Sequence, residues 1–365
     1  MKLLLVAENW EPRVGGIERY LTGLTAALRS AGIEVDVIEP SRYRFFWPIV
    51  KPAWLPLFVQ LYRQAKREQY DAVLCGKALC EGHIGYYLNK YLGIHYIVFT
   101  YATEIETWRQ QARTRRALLR VLHGAGLVGY INEQTKQTLS QLGVTAAQLM
   151  HLPPGLPQEA LEPVPKERVA AVREKYDIAE RYILAVGRLI ARKGFDILLS
   201  AFAALDQTKF GDVQLVIAGD GPEYDALDRQ AENEMVATSV HLITDASDED
   251  LAALYAGAQV FALTPRNLPG DFEGFGIVYL EAAARGVPQA GTRTGGVPEA
   301  VVDHETGLLA PPDDTAAVGD ALARILSATA LRERLGKAAR TRAENEFLWE
   351  QRVVPLLRAL GKLAD

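Results

Sequence analysis

The stretch AQVFALTPRNLPGDFEGFGIVYLEAAARGVP, residues 258–288, reads as a strand, a loop and a helix in that order. Its first seven residues form an apolar run of strand length, and residues 264–272 are rich in Pro, Asn, Gly and Asp. Residues 276–285 are helical in pattern and stop before Gly286-Val287-Pro288. Glu273 therefore falls on the loop just ahead of the helix. The N–H groups of Phe275, Gly276 and Ile277 are the unpaired donors of its first turn. Glu281, four residues after Ile277, lies on the same face as those donors.

Two carboxylates thus bracket one helix end suited to an anion. Carboxylates placed there accept strong hydrogen bonds from hydroxyl groups. Pyrophosphate at the helix end, a sugar on one side and a ribose on the other make a nucleotide-sugar site. The plainer alternative is a capping acid and a helix-surface acid, each common singly.

The strand–helix rhythm extends both ways along the chain. LLLVA, EVDVIE, DAVLC, YIVFT and GLVGYI read as strands in the first half, and YILAVG, VQLVIAG, VHLIT and AQVFALT in the second. Between them lie amphipathic segments such as 16–29, where Ile17, Tyr20, Leu21, Leu24 and Leu28 share a face. This alternation implies two α/β domains with parallel sheets covered on both sides. The stretch HLPPGLPQEALEPVPKE, residues 151–167, has five prolines and a glycine, which places the domain break nearby. Ligands of such sheets bind beyond the carboxyl ends of the strands.

Two more constellations sit there. Gly15-Gly16 opens the first helix after the first strand, where bare backbone could approach an anion. It is not a dinucleotide fingerprint, and a plain loop pair explains it equally well. In YILAVGRLIARKGFDILL, Arg188 and Lys193 flank a short loop between strand end and helix start, which suits a pyrophosphate. The competing reading is two solvated surface charges. Further on, Asp220 or Gly221 and Ser247 or Asp248 read simply as helix caps.

With 365 residues the chain exceeds one ordinary core, and 49% hydrophobic with 23% charged residues fits a soluble globular protein. No apolar run approaches the roughly 20 residues that span a bilayer. The N-terminal apolar run ends at Glu8, too soon for a signal peptide, so it reads as a buried strand. Cys75 and Cys80 alone make neither a disulfide framework nor a zinc site, and the expected compartment is the cytoplasm. Residues 1–165 carry 18 Lys and Arg against 14 Asp and Glu, and residues 166–365 carry 22 against 31. The first half is thus the one suited to an anionic surface or substrate.

EGFGIVYLE (273–281), VGRLIARKG before it, and GGVPEAV and TGLLAP after it resemble the retaining GT-B glycosyltransferases of family 4. The similarity spans nearly the whole chain and is strongest over 183–310. It implies an α/β GT-B fold, two facing Rossmann-like domains with a cleft between them. Residues 1–168 would bind the acceptor and 169–345 the donor. EFLWE (346–350) matches the family's helix that crosses back, so 346–365 would pack on the first domain.

The resemblance further implies that Arg188 and Lys193 hold the diphosphate, Glu273 contacts the transferred sugar and Glu281 the ribose. Gly16 would approach the phosphates. Transfer would retain anomeric configuration and need no metal ion or other cofactor. No Asp-x-Asp or histidine cluster suggests a metal site, and none of the six histidines pairs at ligand spacing.

One departure concerns the family's His-Gly-x-Glu segment. Here VFTYATEIETW places Tyr101 at the histidine, followed by Ala102, Thr103 and Glu104. A tyrosine can hydrogen-bond a sugar hydroxyl but is a poor proton carrier. Tyr101 and Glu104 are therefore acceptor or sugar contacts, or Tyr101 packs at a strand end. Two other classes fit the same architecture: a nucleotide-sugar 2-epimerase and a non-catalytic nucleotide-sugar-binding partner protein. The IVYLEAAARGVP wording is similar to mannosyltransferases acting on phosphatidylinositol glycolipids.

The acceptor side is basic. Residues 41–67 hold six basic residues, seven aromatics and no acid. Arg109, Arg113, Arg116 and Arg120 step as one helical stripe, with Leu118, Val121 and Leu122 opposite. Such a surface suits peripheral contact with an anionic membrane on its cytoplasmic face, and a lipid-linked or glycan acceptor. The alternative is a domain core with solvated arginines. Nucleic acid does not fit the negative net charge.

Overall fold

Strands β1 (Lys2–Val6), β2 (Glu34–Ile38), β3 (Ala72–Cys75), β4 (His95–Thr100), β5 (Leu127–Tyr130) and β6 (Leu149–His151) form one parallel sheet, ordered β2-β1-β3-β4-β5-β6. A second parallel sheet contains β7 (Arg181–Val186), β8 (Val213–Ala218), β9 (Val240–Ile243), β10 (Val260–Ala262), β11 (Gln289–Thr292) and β12 (Gly307–Ala310). Its order is β12-β11-β10-β7-β8-β9. The computed structural model describes residues 1–10, 15–38, 55–101 and 103–364.

The central strands are near-continuous apolar runs because helices cover both faces. Leu3, Leu4, Leu5 and Val6 are buried, as are Ile183, Leu184, Ala185 and Val186. Chain order reverses between β1 and β3 in one sheet and between β7 and β10 in the other. The loops after those strands are where an open α/β sheet receives its ligands. Each unit is thus a Rossmann-like parallel α/β fold.

The compact units are Met1–Gly155 with Trp349–Asp365, and Leu156–Leu348. The division thus falls at Gly155, ahead of the expected 168, for a local reason. The Leu156 N–H donates to the Phe347 carbonyl at 2.6 Å, and Leu156 bridges Leu348, so the proline-rich stretch already belongs to the second unit. The chain returns to the first unit at Trp349. That indole is buried with its centroid 5.3 Å from the Tyr20 ring, and the Tyr20 hydroxyl donates to the Leu152 carbonyl.

The arginine stripe is not continuous. Helices Thr103–Gln110 and Ala112–Gly124 are separated at Gln111, whose backbone is extended (φ −101°, ψ 131°). The Thr114 hydroxyl fixes the break by donating to the carbonyls of Trp108 and Gln111. Arg109 therefore stands on a different helix from Arg113, Arg116 and Arg120, and its Nε pairs with Glu106 at 2.6 Å. The other three are exposed, with Leu118, Val121 and Leu122 buried opposite. Of the segment 41–67, residues 41–54 lie outside the described residues. Helix Leu55–Glu68 buries Leu57, Leu61 and Ala65 in the unit's own core. Among the described residues no helix is long and apolar enough to cross a membrane.

Candidate functional site

The loops after β7 and β10 meet in the second unit. The chain leaves β7 at Gly187, passes Arg188, and makes a short 3-10 turn, Ala191–Lys193, before helix Phe195–Ala203. That turn directs two cations at one acid. Lys193 Nζ lies 2.9 Å from Glu273 Oε2, and Arg192 Nη1 lies 2.5 Å from the same oxygen. Arg192 Nε also sits 3.0 Å from Asp271 Oδ1, as an ion pair without hydrogen-bond alignment.

Glu273 is only 6% exposed. Burial pushes its carboxyl up, but Lys193 and Arg192 outweigh burial and hold it at about 2. It is therefore charged at any physiological pH. The Glu273 carbonyl accepts from the Gly296 N–H at 3.0 Å, and a Cβ on Gly295 would run into that carbonyl. The backbone bearing the acid is thus clamped as well as its side chain.

Gly276 starts helix Ile277–Ala284 in the left-handed region (φ 83°), a conformation a side chain would strain. The N–H groups of Phe275, Gly276 and Ile277 have no hydrogen-bond partner among the described residues. Buried helix starts normally satisfy such donors, so this end is open to an anion. On the same helix, Glu281 Oε2 accepts a hydrogen bond of 2.8 Å from the Tyr255 hydroxyl.

The structure therefore joins Lys193 to Glu273, and sets Glu281 against helix Asp248–Gly257 through Tyr255. It does not bring Arg188 to either acid. The Arg188 side chain is exposed and makes no hydrogen bond or ion pair with the described residues. Sequence reasoning missed Arg192 and Tyr255. Arg192 adjoins Lys193, and the proximity was the available signal. Tyr255 had none, since an aromatic on a helix is ordinarily core.

In the first unit, Gly15 caps helix Gly16–Ser30 beneath a carboxylate. A Cβ there would fall 2.5 Å from Glu18 Oε2, and Glu18 Oε1 accepts from Asn9 Nδ2 at 2.5 Å. Tyr101 is buried, its ring 5.3 Å from Tyr20 in an edge contact. Its hydroxyl has no hydrogen-bond partner among the described residues, and burial pushes it well above the usual phenol range. Glu104 Oε1 accepts from the Tyr101 N–H at 2.6 Å. Capping differs in one place from expectation: helix Tyr224–Asn233 begins after Glu223 rather than at Asp220 or Gly221, whereas Ser247 forms a full capping box with Asp250. Cys75 and Cys80 are free thiols. Among the described residues no group of His, Cys, Asp and Glu is placed to hold a metal ion.

A family model described as Glycosyl transferases group 1 matches residues 170–342, and one described as Glycosyltransferase Family 4 matches residues 14–160. With its two Rossmann-like units, the chain belongs to the GT-B glycosyltransferases of family 4, which transfer sugars from nucleotide-sugar donors. Within that family it resembles the phosphatidylinositol mannoside mannosyltransferases. It is 31% identical to the GDP-mannose-dependent alpha-(1-6)-phosphatidylinositol monomannoside mannosyltransferase of Mycolicibacterium smegmatis, over 98% of each chain. Sucrose-phosphate synthase (tll1590) from Thermosynechococcus elongatus shares the fold with a TM-score of 0.82 at 22% identity, covering 99% of this chain and 98% of that one. Anabaena Alr3699/HepE, solved with UDP and glucose, gives 0.80 at 18% identity, covering 99% and 100%.

Proposed function

We propose that the protein is a retaining, metal-independent mannosyltransferase that moves mannose from GDP-mannose to a lipid-linked acceptor carrying a polyol or sugar. The observation that carries this reading is the ionised, clamped Glu273 beside an unpaired helix start. A fixed carboxylate accepts from sugar hydroxyls, and free N–H groups donate to a diphosphate. The donor and acceptor of the Mycolicibacterium smegmatis relative supply the choice of GDP-mannose and of a glycolipid.

In this reading the diphosphate leaves against Arg188, Lys193 and the N–H groups of Phe275, Gly276 and Ile277. Developing charge on a leaving group is what preorganised donors stabilise best, and two cations with a helix end can replace a divalent ion. Glu273 holds the transferred sugar, and Glu281, set by Tyr255, takes the ribose hydroxyls. Gly15 and Gly16 offer bare backbone to an anionic group of the donor. Tyr101 and Glu104 belong to the acceptor side. The exposed Arg113, Arg116 and Arg120 face an anionic bilayer that holds the lipid acceptor.

The test of the donor is a thermal-shift panel of UDP-, GDP- and ADP-sugars. GDP-mannose should give the largest stabilisation, and a larger shift with a UDP- or ADP-sugar would refute that donor. Incubation with GDP-mannose alone, without acceptor, should yield no epimer, which separates transfer from isomerisation.

A further inference from the structure

Both cations that reach Glu273 converge on one oxygen, Oε2. Oε1 takes no hydrogen bond from the described residues. That leaves Oε1 open to a further donor.

Arg192 is itself braced from two sides. Its guanidinium lies between Glu273 and Asp271, and its carbonyl accepts from the Arg266 N–H at 2.9 Å. Asp271 is in turn fixed by reciprocal backbone hydrogen bonds with Leu268, at 2.9 and 3.0 Å. With a carboxylate at each end, Arg192 already has its charge matched. Arg188, exposed and without a partner among the described residues, has no carboxylate to hold and stays available for phosphate.

We infer that Arg192 is a positioning residue. Together with Lys193 it pins Glu273 Oε2, so that Oε1 is presented to a hydroxyl of the transferred sugar. This role rests on reading the cluster as a nucleotide-sugar site. It differs from the phosphate role of Arg188, although both are arginines of one loop. A planar fork can bridge two carboxylates at fixed angles, which a lysine cannot do. A misplaced reacting group of about 1 Å costs on the order of a hundredfold in rate.

The experiment measures GDP release from GDP-mannose with a phosphatidylinositol mannoside acceptor, and GDP affinity by calorimetry, for wild type, Arg192→Gln and Arg192→Lys. Arg192→Gln should lower kcat by about ten- to a hundredfold and leave the GDP dissociation constant within about twofold. Arg192→Lys should recover part of kcat at unchanged GDP affinity, and it serves as the test if the glutamine variant does not fold. If GDP affinity falls as far as kcat, Arg192 is a phosphate ligand and the positioning role is wrong. Unchanged kcat in both variants would also overturn it. A wild type that binds GDP yet releases none from GDP-mannose or UDP-glucose would instead remove the transferase reading, and this role with it.

Discussion

Each unit buries a glutamate beside the loops where its sheet reverses order, Glu81 in the first and Glu273 in the second, and the two behave oppositely. Glu273 is 6% exposed and held at about 2, because Lys193 and Arg192 outweigh the burial that would raise it. Glu81 is 1% exposed and pushed by burial to about 7; the Glu8 N–H on its Oε1 and the charge of Lys77 offset only part of that. Its Oε2 has no hydrogen-bond partner among the described residues. Burial alone makes a carboxyl reluctant to ionise; two cations within 3 Å reverse the outcome. The second unit is thus built to keep a charge, and the first to suppress one.

The sharpest way to break the contrast is Glu273→Gln. Transfer should fall by more than about a hundredfold while GDP affinity changes little, since phosphate is held elsewhere. Turnover at the wild-type rate would take Glu273 out of the reaction. Next come Lys193→Ala and Arg188→Ala, each expected to remove about 2–4 kcal/mol of transition-state stabilisation in steady-state kinetics. They should differ in a second measurement. Lys193→Ala should raise the Glu273 carboxyl, seen by carbon NMR titration, and Arg188→Ala should not.

Stability against pH sharpens the comparison from the other side. Glu81 binds its proton more tightly when folded, so its contribution is full below about 4.5 and is lost as pH rises towards about 7. Glu273 runs the opposite way: its contribution is present above about 4.5 and lost as pH falls towards about 2. Each change is on the order of 3 kcal/mol. Denaturant midpoints for Glu81→Gln should flatten the wild-type slope between about pH 4.5 and 7, and an unchanged slope would contradict the assignment. Residue for residue, the smallest effect concerns the exposed arginines. Changing Arg113, Arg116 and Arg120 to Ser should weaken sedimentation with anionic vesicles by about 1 kcal/mol per residue. Equal binding to neutral and anionic vesicles would sink the bilayer contact.

Much of the fold was legible because buried parallel strands are long apolar runs, as in YILAVG and VQLVIAG. The strands that escaped, β6, β11 and β12, are three or four residues long. Gln-Ala-Gly-Thr at β11 looks like a turn, and only burial on both sides makes it a strand. The pairing of Lys193 with Glu273 was not readable from spacing, although each residue was singled out for its own position. Distances between loops 80 residues apart depend on the sheet that joins them. The Gln111 break was hidden because the arginine spacing is helical on both sides, and the interruption comes from Thr114 and a backbone turn. Arg192 was passed over for its neighbour, since a charge pair in sequence does not say which member faces inward.

The most direct measurement is transfer from GDP-mannose to a phosphatidylinositol mannoside in excess EDTA, with the anomeric configuration of the product read by proton NMR. The account predicts an α-mannoside, GDP released in equal amount, and a rate unaffected by the chelator. A β-linked product, or a rate lost in EDTA and restored by magnesium or manganese, would contradict it.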